Sequence, residues 1–311
     1  MSEHGNTVSR ATAARVTVVR PRILDYVELM KPELTGLSVL TALCGFYLAA
    51  DTFDIALFLL VGLGTLLLGG GAGALNQYAE RSYDALMKRT ERRPLPSGRL
   101  NPGPVQMFGI GITVAGLIVL FIFVNVLTGL LGLVTFGIYL FVYTPLKRKT
   151  WLSTIVGAIP GALPPVMGWT GGGGSIDGSA AVLFGILFVW QMPHFFSLAW
   201  IYRKDYSRAE YRMLTVFDEK GTRTSGQTLA YNFILLPVSV GMTLTGVTGG
   251  MYAVGAVLLG VIFLTYAVLF RKHTLNPSPE PSRINQAARL VFFASLLYLP
   301  ALFFLMTVDK V

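Results

Sequence analysis

The chain has 311 residues, of which 53% are hydrophobic and 13% charged, with a mean hydropathy of +0.60. A soluble domain carries about 25% charged residues, so this composition excludes soluble enzymes, secreted scaffolds and, despite a net charge of +9, a nucleic-acid binder. The single cysteine, Cys44, lies in an apolar run and excludes an intrachain disulfide or a cysteine-rich metal site.

Residues 1–22 contain four arginines and no apolar core, which argues against a secretory signal. Their Arg- and Ser/Thr-rich composition also suits an organellar transit peptide, but the segment is short and reads better as a disordered cytoplasmic tail. Residues 23–311 then form one domain. Nine apolar segments are long enough to cross a bilayer, at 33–50, 55–78, 104–124, 128–143, 152–169, 179–200, 228–247, 251–270 and 286–307. Continuous apolar runs exclude barrel strands, which alternate. A helix also satisfies its own backbone in hydrocarbon. The expected fold is all-α, a polytopic membrane bundle of nine transmembrane helices.

The connecting loops alternate in charge. Segments 1–32, 80–103, 144–151, 201–227 and 271–289 hold 24 of the 25 Lys and Arg residues, and the last is Lys310. The positive-inside rule therefore puts the N-terminus in the cytoplasm and, after nine spans, the C-terminus outside. The expected location is the cell (inner) membrane, with membrane lipid around the bundle.

The second span ends in Gly69-Gly70-Gly71-Ala72-Gly73-Ala74-Leu75-Asn76 and continues through Glu80 to Asp84. If the helix continues, Asn76, Glu80 and Asp84 stand on one face, about 6 Å apart per step. Three oxygen donors on one stripe form a hard-cation set suited to Mg²⁺. The glycines permit close helix approach or a ligand against the backbone. By spacing alone, a solvated helix end is an equal reading. The next residues add Lys88, Arg89, Arg92 and Arg93 beside the acids. That mixture suits a polyanion held by metal and by cations together. Two further cytoplasmic ends bring similar chemistry, Lys147-Arg148-Lys149 and Arg203-Lys204-Asp205. A transporter would place its polar site near the midplane, whereas these groups gather at one end, favouring an enzyme with an interfacial active site.

The pattern Asn76-x₃-Glu80-x₃-Asp84-x₂-Met87-x-Arg89-Thr90-x₂-Arg93-Pro94-Leu95 resembles the first acidic motif of UbiA-superfamily intramembrane prenyltransferases. Three more passages resemble the branch of that superfamily that farnesylates protohaem IX. They are Tyr143-Thr144-Pro145-Leu146-Lys147-Arg148, Pro164-Pro165-x₂-Gly168-Trp169 and Trp190-Gln191-x-Pro193-His194-Phe195. The resemblance runs from about residue 22 to the C-terminus. It departs at Glu80, where many bacterial members have Asp. It departs again at Ala209-Glu210-Tyr211-Arg212-Met213-Leu214-Thr215, where the family pattern is Ala-Gly-x-Pro-Met-Leu-Pro. Of the second acidic motif, only Asp205 clearly corresponds.

The resemblance implies transfer of a farnesyl group from farnesyl diphosphate to a vinyl group of haem b, giving haem O, with Mg²⁺ as cofactor. It implies Asn76, Glu80, Asp84 and Asp205 as the metal and catalytic set. Lys88, Arg89, Arg93, Lys147 and Arg148 would contact the diphosphate. His194 and Gln191 are haem-binding candidates, although a neutral histidine bonded within the helix is the competing reading. Haem A synthase and terminal-oxidase assembly factors are the implied partners. Two alternatives stay open: another aromatic prenyltransferase with a quinone or chlorin acceptor, and a non-catalytic haem transporter or assembly factor. Geometrically, the ends of spans two and six should face each other across a cavity joining Asn76, Asp84, Asp205 and Lys147. His194 should lie two to three turns deeper.

Overall fold

The computed structural model describes residues 22–278 and 280–311, so the proposed tail lies outside it except for Arg22. Arg22 opens a short helix that the apolar runs alone did not mark, α1 (Arg22–Leu29). The rest is α2 (Pro32–Ala49), α3 (Ile55–Asp84), α4 (Pro102–Ile118), α5 (Val126–Gly137), α6 (Thr144–Leu146), α7 (Ser153–Gly171), α8 (Gly178–Ile201), α9 (Arg203–Arg208), α10 (Thr222–Leu244), α11 (Gly250–Leu275) and α12 (Pro281–Val308). Two π-helical stretches, Val119–Val124 and Ile138–Tyr143, extend α4 and join α5 to α6. No strand occurs among the described residues.

Each of the nine expected spans corresponds to one long helical segment, the third being α4 with its π-helical extension and the fourth the continuous run Val126–Leu146, although the seventh, 228–247, runs three residues past the end of α10 at Leu244. Eight of these are apolar and long enough to cross a membrane. The ninth, α7, carries Pro160, Pro164 and Pro165 and buries most of its side chains against other helices. α8 continues as helix through Pro193 to Ile201. The second helix does continue past residue 78 and ends at Asp84.

Packing depends on small residues because lipid offers no hydrophobic gain for bringing helices together. α2 crosses α7 so closely that a Cβ on Gly45 would overlap the Pro165 carbonyl, and one on Gly168 the Ala42 carbonyl. α3 meets α4 the same way, with Gly71 against Thr113 and Gly116 against the Leu68 amide. The glycines above the acidic stripe thus serve helix approach: Gly70 receives Met30, and Gly73 lies against the Leu29 and Met30 carbonyls. The main core joins α7, α8, α10, α11 and α12 through Trp169, Trp190, Tyr252, Phe263, Phe270 and Tyr298.

The two ends of the bundle use their polar residues differently. At the end holding Asp54, Asp177 and Asp309, the acids complete helices. Asp54 accepts from the Ala56 and Leu57 amides at 2.8 and 3.1 Å, and Asp177 from the Ala180 amide at 2.9 Å. Asp309 accepts from the Tyr252 amide at 2.6 Å. Lys310 donates to the last carbonyls of α2, Tyr47 at 2.7 Å and Ala50 at 2.8 Å.

The crossing of α2 and α7 should be intolerant of a single methyl. Gly168→Ala is expected to cost about 1–3 kcal/mol through overpacking and to lower the melting temperature in detergent. Gly36→Ala, where an added Cβ meets nothing within 4 Å, should leave it unchanged.

Candidate active site

α3 runs unbroken to Asp84, so Asn76, Glu80 and Asp84 share one face. They are 1%, 6% and 1% exposed. Buried charge is costly unless paired and hydrogen-bonded, and each of these groups has a partner from elsewhere in the chain. Lys147 donates to both Glu80 oxygens, at 2.8 and 3.1 Å. Arg93 donates to Asp84 Oδ2 at 2.8 Å. Lys31 Nζ donates to Asn76 Oδ1 at 2.6 Å, and the Asn76 amide donates to Thr144 Oγ1 at 3.0 Å.

Local structure explains how these cations arrive. Lys31 takes a left-handed φ of 50° between α1 and α2, just ahead of Pro32, and this turn aims its side chain at α3. Thr144 donates to the carbonyl of Tyr139, five residues back, a reach that the π-helical stretch allows. The same stretch stands Tyr139 and Tyr143 side by side at 5.6 Å. Tyr139 accepts from Lys31 at 3.2 Å, and the Lys147 ammonium lies 4.5 Å from the Tyr143 ring centroid. Burial alone would lower the Lys147 pKa, but the Glu80 carboxylate outweighs it and raises the pKa well above the usual value. Lys31 behaves oppositely. Burial, with the charges of Arg93 and Lys147, lowers its pKa to about 7.

The segment after α8 closes the site from the other side. Asp205 on α9 is buried and accepts from Arg208. Tyr206, Ala209, Tyr211 and Met213 pack with Met87, which follows α3. Arg89 donates to the Tyr206 hydroxyl at 3.4 Å and lies 4.9 Å from the Tyr202 ring centroid. Arg148 donates to the Tyr83 hydroxyl, and the Arg212 amide donates to the Lys147 carbonyl at 2.9 Å. Glu210 holds φ at 58° where the family pattern has glycine, so the chain makes a left-handed turn there without one. Burial pushes the Tyr211 phenol up, and the Glu80 charge adds to the shift.

The ends of α3, α6 and α8 therefore meet, and Asn76, Glu80, Asp84, Arg93 and Lys147 are brought together. Asp205 pairs instead with Arg208 within its own short helix. Lys88 is exposed. Asn76, Glu80, Asp84, Arg93 and Lys147 form a compact charge-paired cluster. None of the four residues of the expected cavity, Asn76, Asp84, Asp205 and Lys147, lines either of the two clefts nearby. A cleft of about 260 Å³ beside the cluster is lined by Glu80, Tyr83, Thr144, Arg148 and Tyr211, with apolar Leu140 and Phe141. A second cleft of about 470 Å³, with Arg223 and Arg271, shares no lining residue with it.

His194 is half-buried, about two turns inside the end of α8. Its ring stacks on Trp190 at 5.1 Å and packs against Phe292 at 5.0 Å, while Nδ1 bonds Ser295 Oγ at 2.8 Å. Gln191 points elsewhere. It is buried and donates to the Leu187 and Ala158 carbonyls at 3.0 and 3.3 Å, locking α8 onto α7. A side chain on Gly161 would collide with it. Its amide N–H groups are thus engaged in helix packing.

Lys31 and Tyr139 lie outside the quoted motifs, and the sequence reading gave Thr144, Tyr206 and Tyr211 no role in the site. For Lys31 a signal existed, since it is the sole Lys or Arg between Arg22 and Arg81 and borders an apolar span.

The donor chemistry fits Mg²⁺. Asn76, Glu80 and Asp84 offer hard oxygens, and the Lys31 amino group and the Lys147 ammonium already stand against two of them, Lys147 as a substitute cation. Among the described residues no three His, Cys, Asp or Glu side chains form a cage by themselves. Mg²⁺ asks for less, since it is commonly held by one or two carboxylates plus substrate phosphates and water.

A profile of the UbiA prenyltransferase family matches residues 38–297. The chain is 42% identical over 296 residues to a protein from Solibacter usitatus named protoheme IX farnesyltransferase, covering 92% of this chain and 98% of that one. It is 44% identical over 286 residues to a protein of the same name from Salinibacter ruber, with the same coverage of 92% and 98%. Among solved structures, a UbiA homolog from Archaeoglobus fulgidus bound to DMAPP and Mg²⁺ gives a TM-score of 0.64 at 16% identity, over 91% of this chain and 99% of that one. A structure from work on digeranylgeranylglyceryl phosphate synthase gives 0.74 at 14% identity, over 92% and 99%. These two speak to the fold alone.

The Glu80–Lys147 pair supplies a test of the buried cluster. Lys147→Met leaves the Glu80 carboxylate buried without its cation and should cost about 3–5 kcal/mol of stability. The double variant Glu80→Gln, Lys147→Met removes both charges and should recover most of that loss in thermal or denaturant unfolding.

Proposed function

The chain belongs to the UbiA prenyltransferase family, and from that premise we propose that it transfers the farnesyl group of farnesyl diphosphate to a vinyl group of haem b, giving haem O. The observation that carries this reading is the buried Asn76–Glu80–Asp84 stripe, each member matched to a cationic or polar partner that an anionic substrate can recruit. The sequence relatives support the acceptor.

Asn76, Glu80 and Asp84, with Asp205 alongside, would hold Mg²⁺. When bound, the metal neutralises the diphosphate and stabilises its charge as it departs. Lys147 and Arg93 move from Glu80 and Asp84 to the diphosphate oxygens, so the cluster exchanges partners with little change in buried charge. Arg89 and Arg148, each laid against a tyrosine ring, flank the same anion. These preorganised cations stabilise leaving-group charge at little reorganisation cost. The C1–O bond of the farnesyl diphosphate breaks, and its electron pair leaves with the diphosphate. The haem vinyl group supplies the pair for the new carbon–carbon bond. Water adds to the resulting cation and loses a proton, completing a hydroxyethylfarnesyl side chain. The apolar bundle shields the allylic cation from earlier capture by water.

His194 faces the haem. Ser295 Oγ bonds the Phe292 carbonyl at 2.5 Å and His194 Nδ1 at 2.8 Å, and in the tautomer that carries the ring proton on Nδ1 the Nε2 lone pair is left for a ligand. Residues 23–311 act as one catalytic domain in the cell membrane, with the N-terminus and active site on the cytoplasmic side and the C-terminus outside, as the loop charges require.

Purified protein given Mg²⁺, haem b and farnesyl diphosphate should yield a haem heavier by a hydrated farnesyl group, read by mass spectrometry. Consumption of 4-hydroxybenzoate with haem untouched would instead mark a quinone-pathway acceptor. Asp84→Asn should lower turnover by on the order of 10²-fold or more while haem binding, followed by its absorbance, is retained. Unaltered turnover would favour a haem carrier that performs no chemistry.

A further inference from the structure

The site contains one polar group that neither the metal set nor the cation set explains. Tyr211 is 4% exposed, and its hydroxyl is buried, faces the Glu80 carboxylate and makes no hydrogen bond of full geometry. Buried hydroxyls are almost always satisfied, and an exception calls for a reason. The neighbouring groups are bonded to cations. Both Glu80 oxygens accept from Lys147, the Tyr206 hydroxyl accepts from Arg89, and the Tyr83 hydroxyl accepts from Arg148.

The position is also built rather than incidental. The Tyr211 ring is packed between Tyr83 at 6.2 Å and Tyr206 at 6.0 Å, and the Lys147 ammonium lies 5.9 Å from its centroid. Its backbone is pinned on both sides. The Tyr211 amide donates to the Tyr206 carbonyl at 2.9 Å, and the next amide, Arg212, donates to the Lys147 carbonyl at 2.9 Å. Glu210 adopts the left-handed backbone just before it, a conformation costly for a residue with a Cβ. The loop thus holds a strained turn that presents an aromatic hydroxyl to the Glu80–Lys147 pair, on the wall of the cleft that contains Glu80. A phenylalanine would supply the same ring packing without burying an unsatisfied oxygen. The hydroxyl is therefore not there for the free protein.

We propose that Tyr211 is a further catalytic residue, whose hydroxyl donates a hydrogen bond to a diphosphate oxygen of the allylic substrate once Lys147 turns from Glu80 to that anion. This inference rests on the prenyl-transfer reading above. The contact gives the leaving group one more neutral donor beside its cations, and no proton changes owner. In the free protein the hydroxyl waits without a hydrogen bond of full geometry, and in the complex it is satisfied.

The test is Tyr211→Phe in the full chain in detergent, titrated calorimetrically with inorganic diphosphate in the presence of Mg²⁺. A hydrogen bond to a charged group predicts a Kd raised by roughly 10-fold or more. The melting temperature without diphosphate should be unchanged or higher, because the substitution removes an unsatisfied buried oxygen. The farnesyl-transfer kcat should fall while the KM for haem b stays the same. A variant that binds diphosphate as tightly as the parent would overturn the proposal. So would a variant that simply melts earlier without diphosphate, since that marks a structural hydroxyl. If the parent protein itself fails to bind diphosphate with Mg²⁺, the prenyl-transfer reading falls first, and the two failures are told apart.

Discussion

Burying the acidic stripe of α3 is the constraint around which the rest of that end of the bundle is arranged. Two carboxylates and an amide are taken almost wholly out of water at 1–6% exposure. Each needs a partner, and α3 cannot provide one on its own face. The partners come from three separate places: Lys31 from the α1–α2 turn, Arg93 from the loop after α3, and Lys147 from the end of α6. Electrostatic necessity thus ties together segments far apart in the chain. The close glycine contacts of α3 with the α1–α2 turn and with α4 bring that turn within reach.

A site closed by its own cations has a chemical consequence. Free carboxylates would repel a diphosphate, and free lysines would bind any anion. Here both are held in reserve by each other, and only a ligand that brings positive and negative charge together can replace every pair. A metal-bound diphosphate does so. The opposite end of the bundle holds acids too, but Asp54, Asp177 and Asp309 are spent on helix amides and leave no comparable reserve. The asymmetry between the two ends is one of use, not of composition alone.

Much of this was legible in the residue order. Apolar runs marked the nine long helical segments of the bundle, because a lipid-facing helix must display its character in sequence. The four-residue spacing placed Asn76, Glu80 and Asp84 on one face correctly. What escaped were contacts made across long separations. Nothing local to Lys147 announces Glu80, 67 residues away, or to Lys31 announces Asn76, 45 residues away. The π-helical stretch at Ile138–Tyr143 shifts the helix register by one residue, so Tyr139 and Thr144 enter the site in a way that a 3.6-residue period does not foresee. Gln191 shows that a motif residue also has packing to do. It belongs to a distinctive passage, yet its amide is consumed in joining α7 and α8. Motif membership identifies a branch of a family more readily than it identifies what each residue touches.

The account turns on the exchange of internal pairs for a metal–diphosphate unit, and that exchange is measurable on the unmodified protein. Binding of inorganic diphosphate should be compared by calorimetry with saturating Mg²⁺ and with the metal removed by chelation. The charge-paired cluster predicts tight binding with the metal and a loss of on the order of 100-fold or more without it, since the carboxylates then retain their lysines and repel the anion. Equal affinity under both conditions would mean that Lys147 and Arg93 hold the anion without any exchange at Glu80 and Asp84, and would contradict the account.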